Sequence, residues 1–190
     1  MMNNNEIIYS STVIDFVTVG VEFCSLLENE KPMNRNEWID TALKILPLLY
    51  VKASLLPATI EMNDEPPHTF VKEEDYNRIV YNVSSIMGEE DVYLDVYKEE
   101  MKYSDRPISS FISEDIADIY QDIRNLISVY QFELEDQMND ALLICSKNFK
   151  TYWGQKLVNV IRPLHALLYK ENDDNDDTFE TDINMEELWG

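Results

Sequence analysis

The sequence predicts an all-α protein: a single-domain helical bundle of five or six helices with a flexible acidic C-terminal tail. Three observations carry that expectation. Apolar residues recur at steps of three and four through most of the first 170 positions, the spacing of one helix face. Glycine is scarce, at four residues in 190, whereas all-β folds use glycine in their tight turns. Hydrophobic residues make up 45% of the chain and aromatics 11%, enough for a packed core at this length.

The elements follow in order. Residues 6–30 carry Ile7, Ile8, Val13, Ile14, Val17, Val21, Cys24 and Leu27, one amphipathic helix stopped by Pro32. Asn34, with Glu37 three residues on, reads as a capping box opening the next helix. The segment "KILPLLYVKASLLP" is apolar on nearly all sides, so 43–56 is expected to be the central helix, with Pro47 kinking or dividing it. Residues 58–72, with "NDEPPH", form a loop. Residues 73–87 form a helix closed by Gly88. Val92, Leu94 and Val96 alternate with polar neighbours, but a lone strand has no evident partner, so this stretch reads as extended or irregular. Ser113 is placed to cap a helix running to about Tyr130. After a break near Phe132, one long apolar stripe from Leu134 to Leu168 continues across Gly154, perturbed at Pro163. Residues 1–170 thus form the helical domain, and 171–190, with nine acids and no Lys or Arg, the tail.

Charge limits the function. There are 37 Asp and Glu against 15 Lys and Arg, a net charge of −22. Such a surface repels phosphate backbones and anionic head groups, so neither direct nucleic-acid binding nor membrane binding is expected. It attracts basic proteins and divalent cations. The first residues are polar and acidic, unlike a signal peptide, and no uncharged apolar run approaches about 18 residues. Cys24 and Cys145 each sit in an apolar helical pattern and read as buried, reduced thiols. A soluble cytoplasmic protein is the expectation.

The stretch "SEDIADIYQD" holds four carboxylates: Glu114, Asp115, Asp118 and Asp122. At about 100° per residue, Ile116, Ile119, Tyr120, Ile123, Ile127 and Tyr130 form one narrow apolar face. Glu114 and Asp118 fall opposite it, and Asp115 and Asp122 at its border. The simplest reading puts these acids in water. The functional alternative needs a second helix over the acidic side, forcing the carboxylates to be paired or metal-bound; Mg²⁺ or Mn²⁺ would then be held by Asp115 and Asp122 or by Glu114 and Asp118. E-x-x-D pairs occur at Glu37/Asp40, Glu61/Asp64 and Glu133/Asp136, without any E-x-x-E; chance gives about seven acid pairs at that spacing. The two histidines, His68 and His165, do not supply the E-x-x-H pairs of a di-iron bundle. Walker A, G-x-G-x-x-G and G-x-S-x-G motifs are absent. In "YWGQKL", Trp153 falls on the apolar stripe and reads first as core packing; the functional reading is a groove lined by Trp153, Gln155 and His165, although Gln155 lies on the side opposite Leu157.

Three stretches, "KILPLLYVKASLLP", "MKYSDRPISSFISEDIADIYQDI" and "NFKTYWGQKLVNVIRPLHAL", resemble an uncharacterised family of acidic helical proteins from Bacteroides-type bacteria, the domain of unknown function numbered 5063. The resemblance spans about residues 6–170 and implies a bacterial cytoplasmic helical domain, without any implied chemistry. It draws attention to Tyr103, Ser104, Asp105, Tyr120, Tyr152, Trp153, Gly154, Gln155 and His165 beside the carboxylates; with Arg106, the positions Tyr103, Ser104, Asp105, Tyr120, Trp153, Gln155 and His165 are the candidate surface or pocket residues. The leading functional expectation is a non-enzymatic interaction protein whose acidic surface binds a basic protein partner. The alternative is a Mg²⁺- or Mn²⁺-dependent hydrolase using the carboxylates of 114–122. Otherwise no cofactor is expected.

Overall fold

The chain's architecture follows from one helix that the others surround. The structure, a computed structural model, describes residues 4–29, 31, 33–95 and 108–176. Among the described residues a short α1 (Asn4–Ile8) precedes six longer helices: α2 (Ser11–Glu28), α3 (Arg35–Ser54), α4 (Glu73–Met87), α5 (Ile112–Gln131), α6 (Glu135–Asn148) and α7 (Gly154–Asp176). Strands β1 (Val92–Asp95) and β2 (Ile108–Phe111) pair antiparallel, Val92 opposite Phe111. The expected all-α bundle is therefore present, with one small hairpin added.

The central element is α5, not the segment 43–56. It packs against α2, α4, α6 and α7, and its buried positions run almost all the way round, from Ile112 and Asp115 to Leu126 and Val129. Helix α3 instead buries one stripe, Trp38, Ile39, Ala42, Leu46, Leu49 and Ala53, and leaves Leu48, Val51 and Leu55 exposed. Apolar composition alone does not make a helix central; an apolar residue that finds no partner simply stays at the surface. Pro47 neither divides nor ends α3. Asn34 caps it as expected, its side chain accepting from the Glu37 N–H at 2.9 Å.

Three further expectations change. The first helical pattern breaks at Tyr9–Ser10, where Ser10 is extended; the Ile8 carbonyl accepts instead from the Tyr130 hydroxyl at 2.9 Å. The alternating stretch after Gly88 does have a pairing partner, because β2 returns beside it. Ser113 is not the cap of α5, which begins at Ile112. Asp91, buried at the end of a 3₁₀ turn (Gly88–Asp91), caps it from outside: its carboxylate accepts from the Ser113 N–H at 2.8 Å and the Ser113 hydroxyl at 2.7 Å. An anion at a helix N-terminus satisfies orphan donors and favours the dipole. Gly88 ends α4 with φ of 61°, a conformation glycine adopts without strain.

The long stripe is one rod with a defect. A π turn (Phe149–Trp153) joins α6 to α7. Ala141, Cys145, Phe149, Trp153 and Leu157 step by four, slower than the 3.6-residue α period, and a wider turn absorbs the drift. Trp153 is fully buried against Phe149 and Phe16, and its indole N–H donates to the Cys145 carbonyl at 3.1 Å. Helix α7 runs six residues past Lys170; residues 177–190 of the expected tail lie outside the described residues. Both cysteines are buried and free, as expected. Among the described residues no helix is long and apolar enough to cross a membrane.

Gly154 is the residue the π turn requires. A Cβ there would sit 2.3 Å from the Phe149 carbonyl oxygen and 2.8 Å from its ring. Gly154→Ala is expected to destabilise the fold by about 2 kcal/mol, read as a lower urea midpoint at unchanged m-value.

Candidate functional site

The carboxylates of α5 do not all face water. Glu114 is exposed, but Asp115 is buried and Asp118 is only 15% exposed in its side chain. The side of α5 opposite the apolar stripe is covered by α4, α7 and the hairpin, so the sequence expectation of a solvated face holds for Glu114 and fails for Asp118. What lies between α5 and α7 is a cation. The Lys156 ammonium sits 2.7 Å from Asp115 Oδ1 and 2.8 Å from Asp118 Oδ2. Tyrosines complete the shell: Tyr93 donates to Asp115 Oδ2, and Tyr76 to Asp118 Oδ1 at 3.1 Å.

The electrostatics follow from that arrangement. Burial works against the Lys156 charge, but hydrogen bonds and attraction from Asp115 and Asp118 outweigh it and hold its pKa above the ordinary lysine range. Burial, then the charge of Asp118 and a hydrogen bond to it, push the Tyr152 hydroxyl up to about 12. Tyr76 is raised by burial and by Asp118 in the same way. Asp122, one turn further along α5, differs. Its Oδ1 accepts from Asn148 Nδ2 at 2.6 Å, and it pairs with no cation among the described residues. Burial and the charge of Asp118 raise its pKa to about 6, against the lowering by Asn148.

Asp118 and Asp122 line a cavity of about 380 Å³ between α5, α6 and the loop at 66–69. That loop is fixed in place by side chains of the helices. Asp140, on α6, accepts from the N–H groups of Met62 and Asn63 at 2.8 and 2.9 Å and from Asn63 Nδ2. Gln137 accepts from His68 N–H, and Asn125 from the N–H groups of Phe70 and Val71. Burial opposes the Asp140 charge, but these donors, with Asn139, hold its carboxyl below the usual range. A loop that looks unstructured by composition is thus held along its length.

The other candidate positions scatter. Trp153 is in the core, so it lines no groove; Gln155 and His165 are exposed, the latter beside Tyr169. Tyr120 is buried and donates to Glu28 Oε1 at 2.8 Å, next to the Arg124–Glu28 pair, on the α2 side of the helix. Tyr103, Ser104, Asp105 and Arg106 lie outside the described residues. Among the described residues no group of three or more His, Cys, Asp and Glu comes together as metal ligands would. The residues that organise the site and were not singled out from sequence are Lys156, Tyr76, Tyr93 and Asn148. Lys156 left one sign: a basic residue directly flanking Leu157 of the stripe, in a chain poor in bases.

Removing the ammonium would strand two little-exposed carboxylates. Lys156→Met is expected to cost about 3 kcal/mol in chemical denaturation at neutral pH. The loss should shrink when the two acids are neutralised with it, in Asp115→Asn/Asp118→Asn/Lys156→Met; an undiminished loss from Lys156→Met in that background would contradict the pairing.

Comparison with known proteins now adds to this geometry. The profile of the "Domain of unknown function (DUF5063)" matches residues 7–170. A crystal structure of protein BF1032 from Bacteroides fragilis is similar, with 48% sequence identity and a TM-score of 0.75, over 85% of this chain and 94% of that one. A search of functionally curated proteins finds no match. The profile covers most of the helices described above, from the end of α1 to Lys170 in α7, and on that extent the chain belongs to the DUF5063 family.

Proposed function

We propose that this protein is a cytoplasmic, non-enzymatic binding protein whose acidic surface engages a basic protein partner. The observation that carries the reading is the pinned loop. Asp64 and Glu65, on that loop, and Asp136, on α6, border a surface depression of about 540 Å³. Because Asp140, Asn139 and Gln137 hold the loop, these charges are presented in fixed positions. Fixed complementary charges steer association and add specificity without an ordering cost on binding. The acids needed to hold the fold together, Asp91, Asp115, Asp118 and Asp140, are satisfied internally; the acids around the depression are the surplus that a partner would meet.

The hydrolase alternative has less to stand on. Asp115 and Asp118 give their oxygens to Lys156, Tyr76 and Tyr93. Glu114 and Asp122 are then left, eight residues apart, which is about 12 Å along a helix and too far to share one ion. Calorimetric titration with Mg²⁺ and with Mn²⁺ is expected to reveal no site tighter than millimolar; a tighter site lost in Asp118→Ala would restore the hydrolase.

For the binding reading, a basic protein retained by the immobilised chain from extract of the source cells should bind with strong salt dependence. Raising the salt from about 0.1 M to about 1 M, which shortens the screening length from about 10 to about 3 Å, should weaken binding steeply. Reversal of Asp64, Glu65 and Asp136 to Lys should do the same at low salt. Affinity that ignores both changes would sink the proposal.

A further inference from the structure

Asp122 stands out as a charge the fold does not need. It lies partly buried at the wall of the 380 Å³ cavity. Its neighbours one and two turns back, Asp118 and Asp115, share the Lys156 ammonium, while among the described residues Asp122 has only the amide of Asn148. Asn at 122 would accept that hydrogen bond equally well and would avoid the cost of a half-buried anion beside another anion. A polar group that works against stability and faces a cavity is commonly there for a ligand.

The cavity itself has two sides. Asp118, Asp122 and Gln121 present oxygens along one face of α5, with the ring of Tyr152 at the edge. Leu126, Val129, Ala141 and Ile144 supply the apolar remainder. Asp118 and Asp122 both line the cavity, and of the two only Asp118 touches a cation among the described residues, Lys156, so Asp122 leaves the wall with an uncompensated negative charge when ionised. The volume falls at the lower end of small-ligand pockets, room for one extended side chain and no more. Acceptors spread over one helical turn, about 5.4 Å, suit a planar fork of N–H donors better than a compact ammonium.

We infer that this cavity binds a guanidinium group carried on a short apolar stem, the head between Asp118 and Asp122 and the stem against Leu126, Val129 and Ile144. The inference deepens the binding reading above: it makes the cavity the place where an arginine side chain of the basic partner is anchored. Asp122 supplies the charge that the head group neutralises. Asp118 keeps Lys156 and Tyr76 and is shared with the guest through the remaining lone pairs of its oxygens, which an N–H donor can use although a divalent ion beside the ammonium could not. Tyr152, 46% exposed, offers a ring face at the mouth, where an arginine plane stacks favourably.

The ionisation of Asp122 gives the inference a pH signature. The groups facing it are Asp118 on its own helix, Cys145 on α6, Tyr152 from the π turn, and His68 across the cavity; the Lys156 ammonium sits behind Asp118. With Asp122 titrating near 6, a cation should bind better as pH rises from 5 to 7. His68→Gln removes the imidazole from the cavity lining, so a pH dependence that persists in that variant belongs to Asp122.

The test is calorimetric titration of the full chain with n-butylguanidinium, with its neutral isostere n-butylurea, and with the peptide Gly-Gly-Arg-Gly-Gly. The guanidinium and the peptide should bind, and the urea at least tenfold more weakly. Asp122→Asn, which keeps the Asn148 hydrogen bond, should lose about tenfold in affinity, the equivalent of one charge-assisted hydrogen bond. Ile144→Trp, at a position already 40% exposed, should block the cavity without disturbing the core. The pH dependence should persist in His68→Gln. Binding of n-butylguanidinium without the peptide would assign the cavity to a free small molecule and overturn the anchoring role. Equal binding of guanidinium and urea, unchanged binding by Asp122→Asn, or no binding by either cation would overturn the inference. The salt-dependent binding described above would survive those results if it is carried by Asp64, Glu65 and Asp136 alone.

Discussion

The Lys156 ammonium between Asp115 and Asp118 is the interaction on which the arrangement of this bundle depends. A central helix must be covered on all sides, and α5 carries acids on the side away from its apolar stripe. Covering that side with aliphatic residues would leave the two anions unpaired in a poorly hydrated space, at a cost the fold could not bear. A lysine reaching in from α7 resolves the conflict. It brings one positive charge to two negative ones, and Tyr76 and Tyr93 add donors to the oxygens that face α4 and the hairpin. The apolar face of α5 packs the core, and the ionic face ties the helix to α7.

Lys156 reaches that position because of what precedes it. The π turn at Phe149–Trp153 changes the rotation of everything after it relative to α6. In a regular helix, five apolar residues spaced by four would drift steadily off one face. The wider turn returns Leu157, and with it the flanking Lys156, to the side facing α3 and α5. Gly154 leaves space for the Phe149 carbonyl at the point where the turn closes, and Trp153 fills the interior beside it. One glycine, one tryptophan and one lysine within four residues therefore do connected work. The density of "YWGQKL" in the sequence has a structural cause before any functional one.

A second theme is how a chain with 37 acids distributes them. A few are consumed inside: Asp91 caps α5, Asp140 clamps the backbone at Met62 and Asn63, and Asp115 and Asp118 hold Lys156. Their oxygens are satisfied by named donors, so they contribute to specificity of the fold. Others remain outside, and several are held in place by the same side chains that seat the 66–69 loop. Asp122 belongs to neither class. It is drawn partly inside, given one amide partner, and left at the wall of a cavity, which is why it attracts a functional explanation where its neighbours do not.

The sequence by itself determined the helical class, the positions of most helix ends, the buried thiols and the family. The first three rest on local physics: period, capping by Asn34, the left-handed residue at Gly88, and the apolar phase of α5; the family rests on the resemblance of three stretches. The angular arithmetic on α5 placed Glu114 outside correctly. It failed for Asp118 because an angle on one helix says nothing about which neighbour covers that angle. For the same reason 43–56 looked central and proved to be one-sided, whereas Trp153, on the apolar stripe, is in the core as its phase implied. The hairpin partner of Val92–Asp95 and the capping of α5 by Asp91 join residues 13 to 22 positions apart, and no local pattern encodes such pairings. The link between Asp115 and Lys156 spans 41 positions. Only the tertiary structure decided it, because a charge pair is set by where two helices meet, and the meeting of helices is a property of the whole core.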